Sequence, residues 1–232
     1  MISRKVPNLW TILLLLLLPA VGAIAQIPLV EYEQALHSIP VSNPAFILST
    51  IELGMTLTDF PAEPLLRLID RLTSHPAPPF ERESILLVLA HALEDGLPIE
   101  SLINKASEGL ARGIPLQQLE RGLSDRLILL TETRDLLYTK GIFSVPAGAP
   151  QPVATAIPAL RFNQLLIHIS ETIAEFLGGG GSPFDEDDVM YQEVRNRLTL
   201  LQGVTLLPED VELVLNRIGP SDLTQVALAA VS

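Results

Sequence analysis

Two pairs of histidine and glutamate, each separated by three positions, are the residues of this chain best suited to chemistry. His91 and Glu94 form the first pair, and His168 and Glu171 form the second. Both pairs fall in segments whose pattern predicts helix, and side chains three apart share a helical face. Each pair therefore offers an imidazole and a carboxylate to one metal ion, and two facing helices would supply four ligands. The alternative is that both histidines are partly buried helix residues beside solvated carboxylates, since bundle metal enzymes use the reverse order, Glu-x-x-His.

An acidic run, Asp185-Glu186-Asp187-Asp188, raises the possibility of a calcium site. An EF-hand loop needs glycine at its sixth position and glutamate at its twelfth. Counted from Asp185, these positions hold Met190 and Asn196, so the pattern fails. The run instead predicts the acidic first turn of a helix that begins near Pro183, where the helix dipole favours negative charge.

The rest of the sequence lacks the usual signatures of catalysis. It has no G-x-S-x-G nucleophile elbow, no G-x-x-x-x-G-K-[ST] phosphate loop and no H-E-x-x-H motif. The chain has no cysteine, which excludes disulfides, thiolate metal sites and a cysteine nucleophile. Its 15 basic and 27 acidic side chains give a net charge of −12, which argues against nucleic-acid binding. We therefore expect no catalytic residues and no cofactor.

Proline near helix starts and glycine near helix ends punctuate almost the whole chain. Alternating apolar and polar residues typical of strands are hard to find. The sequence predicts an all-α fold, an irregular array of short antiparallel helices with Gly-x-Pro corners. The predicted helices cover residues 44–54, 61 or 64 to 75, 79–96, 98–113, 115–140, 161–177, 183–202, 208–218 and 221–230.

The longest predicted helix, 115–140, carries leucines spaced three or four apart, as on one buried face. These leucines are Leu116, Leu119, Leu123, Leu127, Leu130 and Leu137.

A short internal repeat aligns residues 92–106 with 109–123 at an offset of 17. In each copy, glycine is expected to take the left-handed conformation and proline to start the next helix. The stretch Glu108-Gly109-Leu110-Ala111-Arg112-Gly113-Ile114-Pro115, with the Gly-Leu-Pro turn before it, resembles segments of uncharacterised bacterial exported helical proteins. The resemblance covers about 35 residues. It implies an exported bacterial protein and no particular activity.

The N-terminus has the layout of a secretory signal peptide. Arg4 and Lys5 precede an apolar run that includes six consecutive leucines, and Ala23-Ile24-Ala25 fits a cleavage site. An uncleaved membrane anchor is the alternative, but a span needs about 20 apolar residues. We expect cleavage after Ala25, export to the periplasm or beyond, and no stable membrane span afterwards. Cleavage would remove two basic residues, leaving 13 basic and 27 acidic side chains.

Composition divides the remaining chain into three parts. Residues 26–142 form a predicted N-terminal helical domain, and residues 143–157 form a connector rich in proline and alanine. Residues 158–232 form a C-terminal helical segment with a flexible glycine loop at 178–182.

Charge is unevenly spread along these parts. Residues 26–104 hold 3 basic and 11 acidic side chains, and residues 141–232 hold 4 basic and 11 acidic side chains. The central residues 105–140 are nearly neutral, with 6 basic and 5 acidic side chains. One interpretation makes four central arginines an anchor for the acidic flanks or for an acidic partner. The other, which we favour, is a solvated helix face with local pairs such as Arg121 and Asp125. The arginines are Arg112, Arg121, Arg126 and Arg134.

These features favour a non-catalytic exported helical protein that acts through protein contacts, with an envelope or extracellular protein as its partner. A carrier of an apolar ligand is the first alternative, with Leu200, Leu201, Leu206 and Leu207 near the mouth of its cavity. A metal-dependent enzyme that uses the two His/Glu pairs is the second.

Overall fold

The computed structural model describes residues 27–57, 59–142, 159–183 and 187–231. These residues form ten helices and no β-strand, which confirms the all-α fold. The predicted signal peptide (1–25) and connector (143–157) lie outside the described residues. The helices are α1 (Leu29–His37), α2 (Pro44–Gly54), α3 (Ala62–Thr73), α4 (Pro79–Glu94), α5 (Glu100–Ala111), α6 (Leu116–Thr139), α7 (Ala159–Gly178), α8 (Asp187–Leu201), α9 (Pro208–Arg217) and α10 (Pro220–Val231).

The sequence pattern missed helix α1. This helix has only nine residues and no side-chain cap at its start, so the usual signals are weak. Tyr32 and Leu36, four apart, are its two buried residues, and the Tyr32 hydroxyl donates a hydrogen bond of 2.8 Å to the carbonyl of Ala62 at the start of α3. Burial raises the pKa of Tyr32 to about 12, with a further contribution from the neighbouring Glu31. Long-range packing, more than local pattern, therefore fixes α1.

Short polar and glycine residues define several helix ends. The Asn43 side chain accepts a hydrogen bond from the backbone N–H of Phe46, which caps α2. Gly96 and Gly113 follow α4 and α5 with φ of 66° and 70°, a conformation that costs glycine little. Pro98 and Pro115 precede the helices that follow them, α5 and α6, rather than occupying their first turns.

Among the first five helices, α4 has the most buried residues. Eight of its 16 residues are buried, and they lie on most sides of the helix, which is typical of a helix enclosed by others. Helix α4 packs mainly against α2 and α6 and also contacts α3 and α5. Helix α3 has one apolar face, formed by Leu65, Leu68, Ile69 and Leu72.

Helix α6 packs against both the N-terminal and the C-terminal groups of helices. It contacts α4 and α5 from the first group of helices and α7 and α10 from the last. The predicted leucine face is confirmed at five positions, all buried, while Leu127 is partly exposed. The Tyr138 ring of α6 stacks on Phe162 of α7, with ring centroids 5.8 Å apart.

The buried apolar residues form one connected cluster through both groups of helices. Helix α8 packs on α7 and α10, and the Tyr191 hydroxyl of α8 donates to the carbonyl of Leu215 on α9. In the described part of the chain, no helix combines the length and apolar character needed to cross a membrane.

Candidate functional site

The first predicted metal pair lies on the surface of α4. Nδ1 of His91 is 3.3 Å from Oε2 of Glu94, and both side chains are about half exposed. The His91 ring also lies against Phe46 of α2, with centroids 5.2 Å apart. The structure thus brings this pair together as a local contact beside an aromatic ring.

The second predicted pair lies on α7, but its glutamate is occupied by arginines. Glu171 Oε1 lies 3.1 Å from Arg126 of α6, and Oε2 lies 3.2 Å from Arg197 of α8. His168 is half buried, and its Nδ1 has no hydrogen-bond partner among the described residues. Burial and the nearby Arg197 lower the pKa of His168, against an opposing effect of Glu171. These surroundings favour a neutral imidazole.

The two pairs do not assemble into one ligand set. Among the described residues, no group of three or more histidine, cysteine, aspartate or glutamate side chains is arranged to hold a metal ion. Half of the acidic run, Asp185 and Glu186, lies outside the described residues. The other half, Asp187 and Asp188, forms the first turn of α8. There the N–H of Asp188 donates to Oδ1 of Asp187.

The arginine and glutamate contacts border a groove between α7 and α8. The groove has a volume of about 710 Å³ and is open to solvent. Its lining combines apolar, charged and glycine residues from both helices and the turn between them. The lining residues are Thr172, Glu175, Phe176, Gly179, Gly181, Val189, Glu193, Asn196, Arg197 and Leu200.

The glycine turn after α7 shapes one end of this groove. The N–H of Gly181 donates to the carbonyl of Phe176 at 3.0 Å, and Gly180 has a φ of 87°. A Cβ atom on Gly181 would lie 2.5 Å from the Phe176 ring, so only glycine lets the chain pass this close. In the structure, the glycines predicted as a flexible loop form the hydrogen-bonded C-terminal cap of α7.

The charge of the groove is only partly balanced. Arg197 donates hydrogen bonds to Glu175 at 2.9 Å and to Glu171 at 3.2 Å, which tie α8 to α7. Glu193 has no ion-pair partner among the described residues. The groove therefore presents negative charge beside apolar surface.

Apolar side chains stand exposed at the groove. Leu200 is 80% exposed and Val189 is 48% exposed, although both belong to α8. The leucines predicted at a cavity mouth do not share one environment, because Leu206 is buried, Leu201 is partly buried, and Leu200 and Leu207 face solvent. Sequence reasoning missed the role of Arg197. The spacing of Glu171 and Glu175, one turn apart, was a signal for a cationic partner, but it does not identify which helix supplies it.

Comparisons of the chain with protein-family models, with curated proteins and with solved structures find no match.

Proposed function

We propose that this chain is a non-catalytic exported protein that binds another protein through the groove between α7 and α8. The observation that carries the proposal is the exposure of Leu200 and Val189 beside an open groove floored by Phe176. Large apolar side chains exposed together with a polar rim are typical of protein interaction sites.

The charges at the groove favour a particular kind of partner. Glu193 lines the groove and has no cationic partner among the residues that the structure describes, and Asp187 and Asp188 begin the same helix. Residues 141–232 as a whole hold 4 basic and 11 acidic side chains. Complementary charge speeds association and selects between partners. The expected contact segment therefore carries apolar side chains flanked by lysine or arginine.

Export supports a partner in the bacterial envelope or outside the cell. The signal-peptide pattern at residues 1–25 and the resemblance of residues 108–115 both favour this compartment. N-terminal sequencing of the protein recovered from the envelope or the medium tests this part. We expect the chain to begin at Gln26, and a cytoplasmic protein beginning at Met1 would contradict export.

A capture experiment with matched variants tests the groove. The protein is cross-linked in envelope extract, and captured proteins are identified by mass spectrometry. We expect a reproducible partner that is lost with Leu200→Ser and with Glu193→Lys. Val30→Ser is the control, because Val30 is an exposed apolar residue on α1, far from the groove in the sequence and absent from its lining. A monomeric protein without a reproducible partner, or a partner held equally by the groove variants, would overturn the proposal.

The carrier alternative has less support. An apolar cavity in the N-terminal core, lined by residues of α2, α3 and α4, has a volume of only about 10 Å³. Ligand sites usually measure about 300–1,000 Å³, and this cavity barely admits a single water molecule. The groove between α7 and α8 and the pocket between α2 and α4 reach ligand size, at about 710 and 450 Å³, but both are open to solvent and do not enclose an apolar ligand.

A further inference from the structure

A second pocket lies at the opposite end of the sequence, between α2 and α4. It has a volume of about 450 Å³, opens to solvent and is largely apolar. Its lining residues are Ser42, Asn43, Phe46, Glu83, Leu87 and His91. None of these residues contributes to the groove between α7 and α8.

The unusual member of this pocket is a buried carboxylate. Glu83 is only 7% exposed, and no lysine, arginine or histidine among the described residues forms an ion pair with it. Buried charges are normally paired, because moving a charge out of water is costly. Glu83 therefore differs from the other glutamates of α4, which lie nearer the surface.

Hydrogen bonds hold this carboxylate without neutralising it. Oε1 accepts from the backbone N–H groups of Ser42 at 2.6 Å and Asn43 at 3.3 Å, and Oε2 accepts from the Ser42 hydroxyl at 3.0 Å. A carboxylate has about four acceptor positions. Three donors therefore leave about one acceptor position, and the whole negative charge, for a further partner.

Two aromatic rings line the same pocket as the carboxylate. The rings of Phe46 and His91 have centroids 5.2 Å apart and planes inclined by 50°. Oε2 of Glu94, three positions further along α4, lies 3.3 Å from Nδ1 of His91. Ring faces attract cations within about 6 Å, and Leu87 adds an apolar wall for a hydrocarbon stem.

We propose that this pocket binds an alkylammonium group, with the ammonium on Glu83 and the alkyl stem between Phe46 and Leu87. The negative carboxylate selects a cation, and the face of the aromatic ring attracts it. The apolar lining rejects strongly hydrated inorganic ions. The same chemistry is available from a free amine and from a lysine side chain of a peptide.

The amides of Ser42 and Asn43 provide a direct readout, because both donate to Glu83. The full-length chain, labelled with ¹⁵N, is titrated with n-pentylammonium and, separately, with the peptide Gly-Gly-Lys-Gly-Gly. Pentanol and the same peptide with norleucine are the neutral controls. We expect saturable shifts of these two amides with the cations alone. Tighter binding of the peptide would assign the site to a protein lysine, and tighter binding of the amine would assign it to a small ligand.

Substitutions test the contributions of the Glu83 carboxylate and the Phe46 ring separately. We expect Glu83→Gln to weaken cation binding about tenfold or more, and Phe46→Leu to weaken it about fivefold while keeping an apolar wall. Glu212→Gln, an exposed glutamate of α9, should leave affinity unchanged. If Glu83→Gln fails to fold, Phe46→Leu and the neutral ligands still decide the matter. No shift with about 20 mM n-pentylammonium, equal shifts with pentanol, or an unchanged affinity in Phe46→Leu would each overturn the proposal.

Discussion

The first five helices and the last four differ in where their ion pairs lie. In the described part of α1–α5, each ion pair joins exposed residues three or four positions apart on one helix or, for Arg112, at the residue that caps it. The pairs are Arg67–Glu63, His91–Glu94, Lys105–Glu108 and Arg112–Glu108. The described pairs of α7–α10 instead connect different elements, namely Arg126–Glu171, Arg197–Glu171, Arg197–Glu175, Arg161–Asp210 and Lys140–Asp222. The second group is therefore held by charge as well as by packing.

Burial sharpens this difference. In the cross-helix pairs, the side chains are between 5% and 31% exposed, apart from Glu175 at 65%. Exposed pairs on one helix contribute about 0.3–0.5 kcal/mol, whereas breaking a buried pair leaves a charge without its partner and costs more. The N-terminal helices should therefore tolerate changes of salt, while the arrangement of α7–α10 should respond to them.

The largest expected effect is on the apolar core of the first group. Leu68 of α3 is fully buried, so Leu68→Ala removes packed atoms and leaves a cavity. We expect a loss of about 3 kcal/mol in the free energy of unfolding, measured by urea denaturation, and about the same loss at low and high salt. Leu53→Ala, at an exposed site of α2, is the control and should cost much less. A strongly salt-dependent loss for Leu68→Ala would contradict the comparison.

The next largest effect is expected when an ion pair between two helices is broken. Glu171→Gln leaves Arg126 and Arg197 without their shared carboxylate, and we expect a loss of about 2 kcal/mol that shrinks as salt is added. Glu63→Gln removes a carboxylate from an exposed pair on α3 and should change stability by less than about 0.5 kcal/mol. Equal losses for the two variants, compared by urea denaturation, would remove the proposed distinction.

A smaller effect is expected at the turn that links α7 to α8. Gly181→Ala places a Cβ atom against the Phe176 ring, and we expect a loss of about 1–2 kcal/mol as the ring or the turn shifts. Gly178→Ala, at the last residue of α7, meets no atom within 4 Å and should be neutral or slightly stabilising. Thermal unfolding of the two variants measures the difference, and equal midpoints would show that the close contact is unimportant.

The smallest expected effect is a pH dependence from His168. Its pKa is lowered in the folded protein, so the unfolded chain binds the proton more readily. Stability should be complete above the ordinary histidine pKa of about 6.5 and fall as the pH decreases through the lowered value. His168→Gln should flatten this part of the pH profile, whereas His91→Gln, on the exposed face of α4, should retain it. A profile unchanged by His168→Gln would contradict this assignment.

Acid should affect a second group at lower pH. Burial of Asp222 opposes its ionisation, but hydrogen bonds from the Lys140 ammonium and the Gly219 N–H outweigh it and hold the pKa of Asp222 below 3.8. Its contribution to stability is present above that ordinary value and is lost as the pH falls below it.

The sequence predicted the helices well where local signals are strong. The leucine spacing of α6 and the proline and glycine punctuation placed most helices within a few residues, because these signals act within one or two turns. The helix α1 was missed because its formation depends on contacts with α3. The favoured interpretation of the central arginines was also incomplete. Arg112 forms a local pair, but Arg126 reaches Glu171, and Arg134 donates to the carbonyl of Asp95.

The candidate sites were harder than the helices to predict from the sequence. The His/Glu pairs were found by spacing, which places residues on one helical face but does not reveal what faces them. Arg197 contacts Glu171 from another helix, across 26 residues of sequence. The role of Glu83 depends on a loop 40 residues earlier in the chain. Such sites depend on tertiary packing, which a single sequence does not encode in any local pattern.

Hydrogen exchange at two salt concentrations tests the central comparison most directly. Amide protection is measured along the full-length chain at about 0.02 M and about 0.5 M salt, where screening lengths differ several-fold. We expect the protection of α7–α10 to fall at high salt relative to that of α1–α5, with the largest change in α7 and α8 around Glu171 and Arg197. Equal changes in both groups, or a greater loss in α1–α5, would contradict it.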